Sequence, residues 1–75
     1  MRYEMIREIF NSCSNNQMRD VFVSEIETDD PEAVVMTYCK SREEIVDRED
    51  HADGTVIFHV ISSGLRQRYG FTPDE

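Results

Sequence analysis

Asp47 and His59 are the residues in this chain whose types suit acid–base chemistry, and Arg48, Arg66 and Arg68 are the set that suits anion binding. A carboxylate beside an imidazole favours the protonated ring, which would make a general base or a pH-sensing histidine. Two arginines on one strand can clamp a carboxylate or phosphate through paired N–H donors. Each set also has a plain reading: a hydrogen-bonded histidine in a partly covered sheet, and cross-strand ion pairs with Glu25, Glu27 or Asp50. Catalysis would further require a nucleophile or oxyanion donors beside His59, and the sequence points to none. The chain therefore reads as non-enzymatic.

Metal and cofactor chemistry find little support. Cys13, Cys39, His51 and His59 are too widely spaced for the short paired ligands of a structural zinc site. Asp47, Glu49, Asp50 and Asp53 superficially resemble a calcium loop, but the glycine and the terminal glutamate are not where such a loop needs them. No phosphate-binding glycine loop, dinucleotide glycine pattern or serine elbow is present, so no cofactor is expected.

What these residues can do depends on the strands that carry them. His51-Ala52-Asp53-Gly54 and Ser62-Ser63-Gly64 bracket the apolar run Thr55–Ile61, which marks a central strand between two turns. Each turn ends in a glycine, the residue that takes a left-handed conformation without steric cost. If both loops hold three residues, Asp47 faces His59 and His59 faces Gln67 on one side of the sheet. Arg48, Phe58 and Arg68 then share the reverse side, with Arg66 completing an arginine set around Phe58. A slip of one residue would send every side chain to the other face.

Upstream, Tyr3, Ile6, Ile9, Phe10 and Cys13 recur at three- and four-residue spacing, which predicts an amphipathic helix over 1–14 that gives way to a polar loop over 11–16. Val21–Glu27 is β-branched and aromatic, then alternating, and predicts a strand over 21–28. Asp29-Asp30-Pro31-Glu32 carries a helix start, with Asp29 as N-cap, Glu32 three residues on and Pro31 in the first turn. A helix over 30–40 follows, against a competing hairpin because Ala33–Cys39 is rich in strand formers. Strands are expected over 43–50, 55–62 and 65–71, the last with a short helix after Ser63 as its alternative, and 72–75 as a tail.

The expected fold is α+β: one small domain with an N-terminal helix, then β-α-β-β-β, making a mostly antiparallel four-stranded sheet with a C-terminal three-strand meander. At 75 residues, such a chain buries only roughly 60% of its unfolded surface. Val56, Phe58 and Val60 and also Ile57 and Ile61 are apolar, so the central strand has oil on both faces and something must cover the second. The N-terminal helix and a second copy of the chain are the two candidates, which makes a homodimer an expectation.

Charge narrows the partners. The net charge of −8 resides entirely in residues 21–54, where eleven acids stand against Lys40, Arg42 and Arg48. That field repels phosphate backbones and anionic headgroups, so direct nucleic-acid and membrane binding are not expected. No apolar run is long enough to span a bilayer or to serve as a secretory leader, and two cysteines are too few for a disulfide framework. The expected setting is the cytoplasm. The function that fits is a small acidic binding module acting on protein partners or on itself, with Arg48, Arg66, Arg68, Phe58, Asp47 and His59 as its contact residues. The alternative is an acidic mimic of nucleic acid that blocks a DNA- or RNA-binding protein, which requires the eleven acids to form one face.

Overall fold

Residues 1–13, 16–62 and 64–74 are described by the computed structural model. Its first element is not a helix. Strand β1 (Arg2–Cys13) runs extended, antiparallel to β2 (Asn16–Glu27) on one side and to β5 (Leu65–Pro73) on the other. Tyr3, Met5, Arg7 and Ile9 share one face of this strand, and Glu4, Ile6, Glu8 and Phe10 the other.

The helical spacing of Tyr3, Ile6 and Ile9 misled because the true period of two is broken by type. A charged residue, Arg7, lies on the covered face, while Ile6 and Phe10 lie on the open one. Arg7 is tolerated there because its guanidinium stacks on aromatic rings, 4.5 Å from the centroid of Tyr38. An isolated helix of this length is marginal in water, whereas the strand gains a hydrogen-bonded neighbour on each edge. Asn11, Ser12, Cys13 and Asn16 of the expected polar loop belong to the two strands, and residues 14 and 15 fall outside the described ones.

Five strands form one antiparallel sheet in the order β2-β1-β5-β4-β3, with β3 spanning Ile45–Asp50 and β4 Val56–Ser62. This replaces the expected four-stranded α+β layout with a mostly β architecture. The meander of the C-terminal half is present as β3-β4-β5, and β4 is an interior strand with antiparallel neighbours on both sides. Thr72 and Pro73 pair with Glu4 and Tyr3, and the Asp74 N–H donates to the Arg2 carbonyl at 2.9 Å, so these residues are ordered sheet rather than tail.

β2 and β3 are the two outer strands, so the chain between them must cross the whole sheet. Helix α1 (Pro31–Met36) makes that crossing, and a single turn of 3₁₀ helix, Arg42–Glu44, leads into β3. The N-cap is Asp30 rather than Asp29, its side chain makes no capping bond, and Pro31 occupies the first turn. Glu32 instead pairs with Arg42 at 3.0 Å. The helix stops at Met36, four residues before the expected end, where Thr37 donates its hydroxyl to the Val34 carbonyl at 2.7 Å.

The core lies between α1 and one face of the sheet. Val35, Phe58, Tyr69 and Phe71 are fully buried, with Tyr3, Met5 and Val60 beside them. Phe71 meets Tyr3 and Phe58 edge to face at centroid distances of 6.0 and 5.8 Å, the arrangement that ring quadrupoles favour. A six-residue helix cannot roof five strands, so the opposite face is left open.

Candidate functional site

Register decides which residues the open face presents. The loop after β3 holds three residues, as expected: the Gly54 N–H donates to the His51 carbonyl at 3.0 Å, the His51 N–H to Thr55 at 2.9 Å, and Gly54 has φ +93°. Asp47 therefore faces His59, and Arg48 faces Phe58. The loop after β4 is shorter than expected. Ser62 pairs with Leu65, which leaves only residues 63 and 64 between the strands and moves β5 by one position.

That single slip rearranges both residue sets. His59 faces Arg68 rather than Gln67, and Gln67 turns to the covered side, where it accepts a hydrogen bond from the Tyr69 hydroxyl. Arg66 and Arg68 turn to the open side. Arg48 and Phe58 stay on the covered side, with the guanidinium 5.2 Å from the fully buried ring. The sheet therefore separates Arg48 and Phe58 from Arg66 and Arg68, so the three arginines do not gather around Phe58, while Arg66 and Arg68 stay on one face of β5. Arg48 is held by Asp50, with N···O distances of 3.1–3.3 Å, and lies 3.8 Å from Glu32. The Asp50 carboxylate raises its affinity for the proton further, against a smaller opposing effect of burial.

Three rows cross the open face. The first runs Glu49, Ile57, Gly70, Ile6, Val23; the second Asp47, His59, Arg68, Glu8, Val21; the third joins Ile61, Arg66 and Phe10. The second row is polar up to Val21, and its charged members are engaged. Arg68 lies 3.5 Å from Glu8. His59 turns away from Asp47 to Glu49, with Nε2 and Oε2 2.5 Å apart, and the other oxygen of Glu49 lies 3.6 Å from His51. The hydrogen bond from His59 is the largest of the effects that hold the Glu49 carboxyl below its ordinary range. Asp47 accepts the Arg48 backbone N–H at 2.8 Å.

Between the second and third rows lies an open depression lined by Phe10, Val46, Asp47, His59, Ile61 and Arg66. Arg66 lies 5.7 Å from the Phe10 ring centroid, so its walls are aliphatic and aromatic with charge of both signs. Among the described residues no group of three or more His, Cys, Asp or Glu side chains could hold a metal ion. Cys39 is a free thiol whose pKa is raised, first by burial and then by Glu44.

Ile6, Phe10, Val21, Val23 and Glu49 also build this face, and the sequence reading placed none of them there. For Ile6 and Phe10 the only signal was the alternation of Arg2, Tyr3, Glu4 and Met5, which breaks at Ile6 and Arg7. The acids of the middle segment that lie on strands are not gathered at one place. Glu25 and Glu27 sit on β2 at one edge of the sheet, and Asp47, Glu49 and Asp50 on β3 at the other. Among the described residues no helix is long and apolar enough to cross a membrane. The chain matches no protein-family model, no curated protein and no solved structure.

Proposed function

We propose that this chain is a small non-catalytic binding module that works in the cytoplasm by docking the open face of its sheet onto a basic protein surface. The observation that carries this reading is the uneven covering of the sheet. One face is roofed by α1, while the other leaves Val23 62% and Ile61 45% exposed, with Ile6 and Phe10 half-buried between them. Apolar groups interleaved with charge make a face suited to a polar protein partner rather than to lipid.

Charge selects the partner. The cations of the face are engaged within it, Arg68 by Glu8 and Arg66 by the Phe10 ring, while the molecule as a whole carries −8 and steers basic surfaces toward it. His59 is tied to Glu49 on an open surface, which favours a structural role over proton transfer. The mimicry alternative is less favoured because it needs the acids gathered, whereas Glu25 and Glu27 lie on one edge strand of the sheet and Asp47, Glu49 and Asp50 on the other.

Photo-crosslinking distinguishes the faces. A photoreactive residue at position 61, on the open face, is expected to give one discrete adduct with a basic protein, competed away by unmodified chain but not by the Ile61→Glu variant. The same probe at position 33, on the exposed side of α1, is expected to give none. Equal adducts from both positions, or none from position 61, would overturn the reading.

A further inference from the structure

The depression beside Ile61 holds two charges that the fold leaves unanswered. Of the charged side chains in its lining, Arg68 is paired with Glu8 and Glu49 with His59. Among the described residues Asp47 accepts only the backbone N–H of Arg48, and Arg66 has no carboxylate partner and meets only the Phe10 ring. A guanidinium holds several N–H donors in one plane, so a single ring leaves most of them open. Asp47 and Arg66 do not satisfy each other, because β4 stands between their strands and sets them two strand spacings apart, about 10 Å.

We propose that this depression binds the C-terminal lysine of a basic protein partner, with the lysine ammonium on Asp47, its aliphatic stem across Ile61 and the terminal carboxylate on Arg66. The proposal rests on the docking of the open face and names the group that docks there. Local backbone supports a built site. β3 shifts register between Ile45 and Asp47, so Val46 is the extra residue of a bulge, and it lines the depression while 57% exposed. Bulges of this kind re-aim side chains next to functional sites. The depression has a volume of about 510 Å³, within the roughly 300–1,000 Å³ of small-ligand sites, which suits one residue at a chain end.

Charge selects this occupant over its rivals. An internal lysine would answer Asp47 and offer nothing to Arg66. A carboxylate alone would answer Arg66, leave Asp47 bare and approach a chain of net charge −8. Lysine at a C-terminus carries both charges at opposite ends of one extended residue, which matches unlike charges on opposite walls. Its methylene stem lies along apolar surface while the ammonium stays in water, and Ile61, 45% exposed, supplies that surface. Capture of a terminal carboxylate is a recurrent mode of peptide recognition.

Titration of isotope-labelled chain with an acetylated tripeptide, alanyl-alanyl-lysine with a free carboxylate, tests this through amide shifts. Saturable shifts at Asp47, Ile61 and Arg66 are expected, with affinity on the order of millimolar and α1 unmoved. Amidating the carboxylate and replacing the lysine by norleucine are each expected to weaken binding roughly five-fold, the scale of one exposed ion pair. Asp47→Asn, which keeps an acceptor for the Arg48 N–H, is expected to abolish the preference for lysine over norleucine and to retain that for carboxylate over amide. Arg66→Gln is expected to do the reverse, and the amide spectrum of each variant reports that it is folded. Equal binding of all the peptides, shifts centred elsewhere, no shifts at all, or a folded variant that keeps the preference it should lose would each overturn the proposal. Failure here with position-61 crosslinks intact removes this site alone, whereas loss of the crosslinks with peptide binding intact removes the wider docking face and leaves the chain-end site standing.

Discussion

The two outer strands of this sheet occupy equivalent places and solve the same problem in opposite ways. β3 ends the sheet: it is short, bulged, and carries a charge at each of its last four positions. β2 is twice as long and exposes Val-Phe-Val at its middle. The hydrogen-bonding backbone is common to both, so what separates a finished edge from an unfinished one is the length and side-chain chemistry laid over it. The cations of β3 and its approach are also bound, Arg42 by Glu32 of α1 and Arg48 by Asp50 of the same strand.

The largest expected effect comes from erasing the contrast. Asp47→Val with Glu49→Val would give β3 an apolar edge like that of β2, so neither outer strand would carry the charge that discourages edge-to-edge pairing. Light scattering and a dye specific for cross-β structure should then report open-ended assemblies where the natural chain gives none; a variant of unchanged size would show that charge is not what ends the sheet at β3. Next in size is the turn that fastens β3 to β4. Gly54 has φ +93° and an added Cβ would lie 3.0 Å from the Pro73 ring, whereas Gly64, at φ +79°, faces open space. Gly54→Ala is expected to cost about 2 kcal/mol in urea unfolding and Gly64→Ala about 1 kcal/mol, and equal losses would remove the role given to Pro73.

On the β2 side the corresponding fastener is Arg7, whose Nε donates to the Tyr69 hydroxyl at 3.3 Å while its guanidinium lies near Tyr38 and Phe22. Arg7→Lys keeps the charge but loses the planar stacking and is expected to cost about 1 kcal/mol; an unchanged midpoint would show that the stacking contributes nothing. The smallest effect is in acid. Because the folded state holds Glu49 below its ordinary range, its contribution is complete above the unfolded pKa of the carboxyl and fades as the pH falls through the folded value. Glu49→Gln should therefore flatten the acid limb of the stability profile by slightly lowering its neutral end, while the most acidic points stay nearly unchanged. Glu44 and Asp53, lowered chiefly by the backbone N–H groups of Lys40 and Thr55, act with the same sign and keep some of that limb in place.

Legibility in the sequence followed the strength of the local signal. Thr55–Ile61 and the turn at Gly54 were readable, because an apolar run between turn residues has few other solutions, and the facing of Asp47 with His59 followed from counting out of a three-residue loop. The second turn offered the same residues but closed with two, and that one-residue difference reversed all of β5 and dissolved the arginine set. Residues 1–13 failed for another reason. Arg7 on the covered face and Ile6 and Phe10 on the open one look like the two sides of a helix, and only the rings of Tyr38 and Tyr69, distant in sequence, explain why an arginine belongs there. Helix α1 was readable from Pro31 but not at its end, which the crossing from β2 to β3 sets.

Shift mapping by nuclear magnetic resonance, with the labelled chain titrated against a basic protein captured from position 61, tests the unlike faces most directly. Changes confined to Ile6, Val23, His59 and Ile61 on the open face, with α1 unmoved, are the expected result. Changes centred on α1, or none at all, would contradict it.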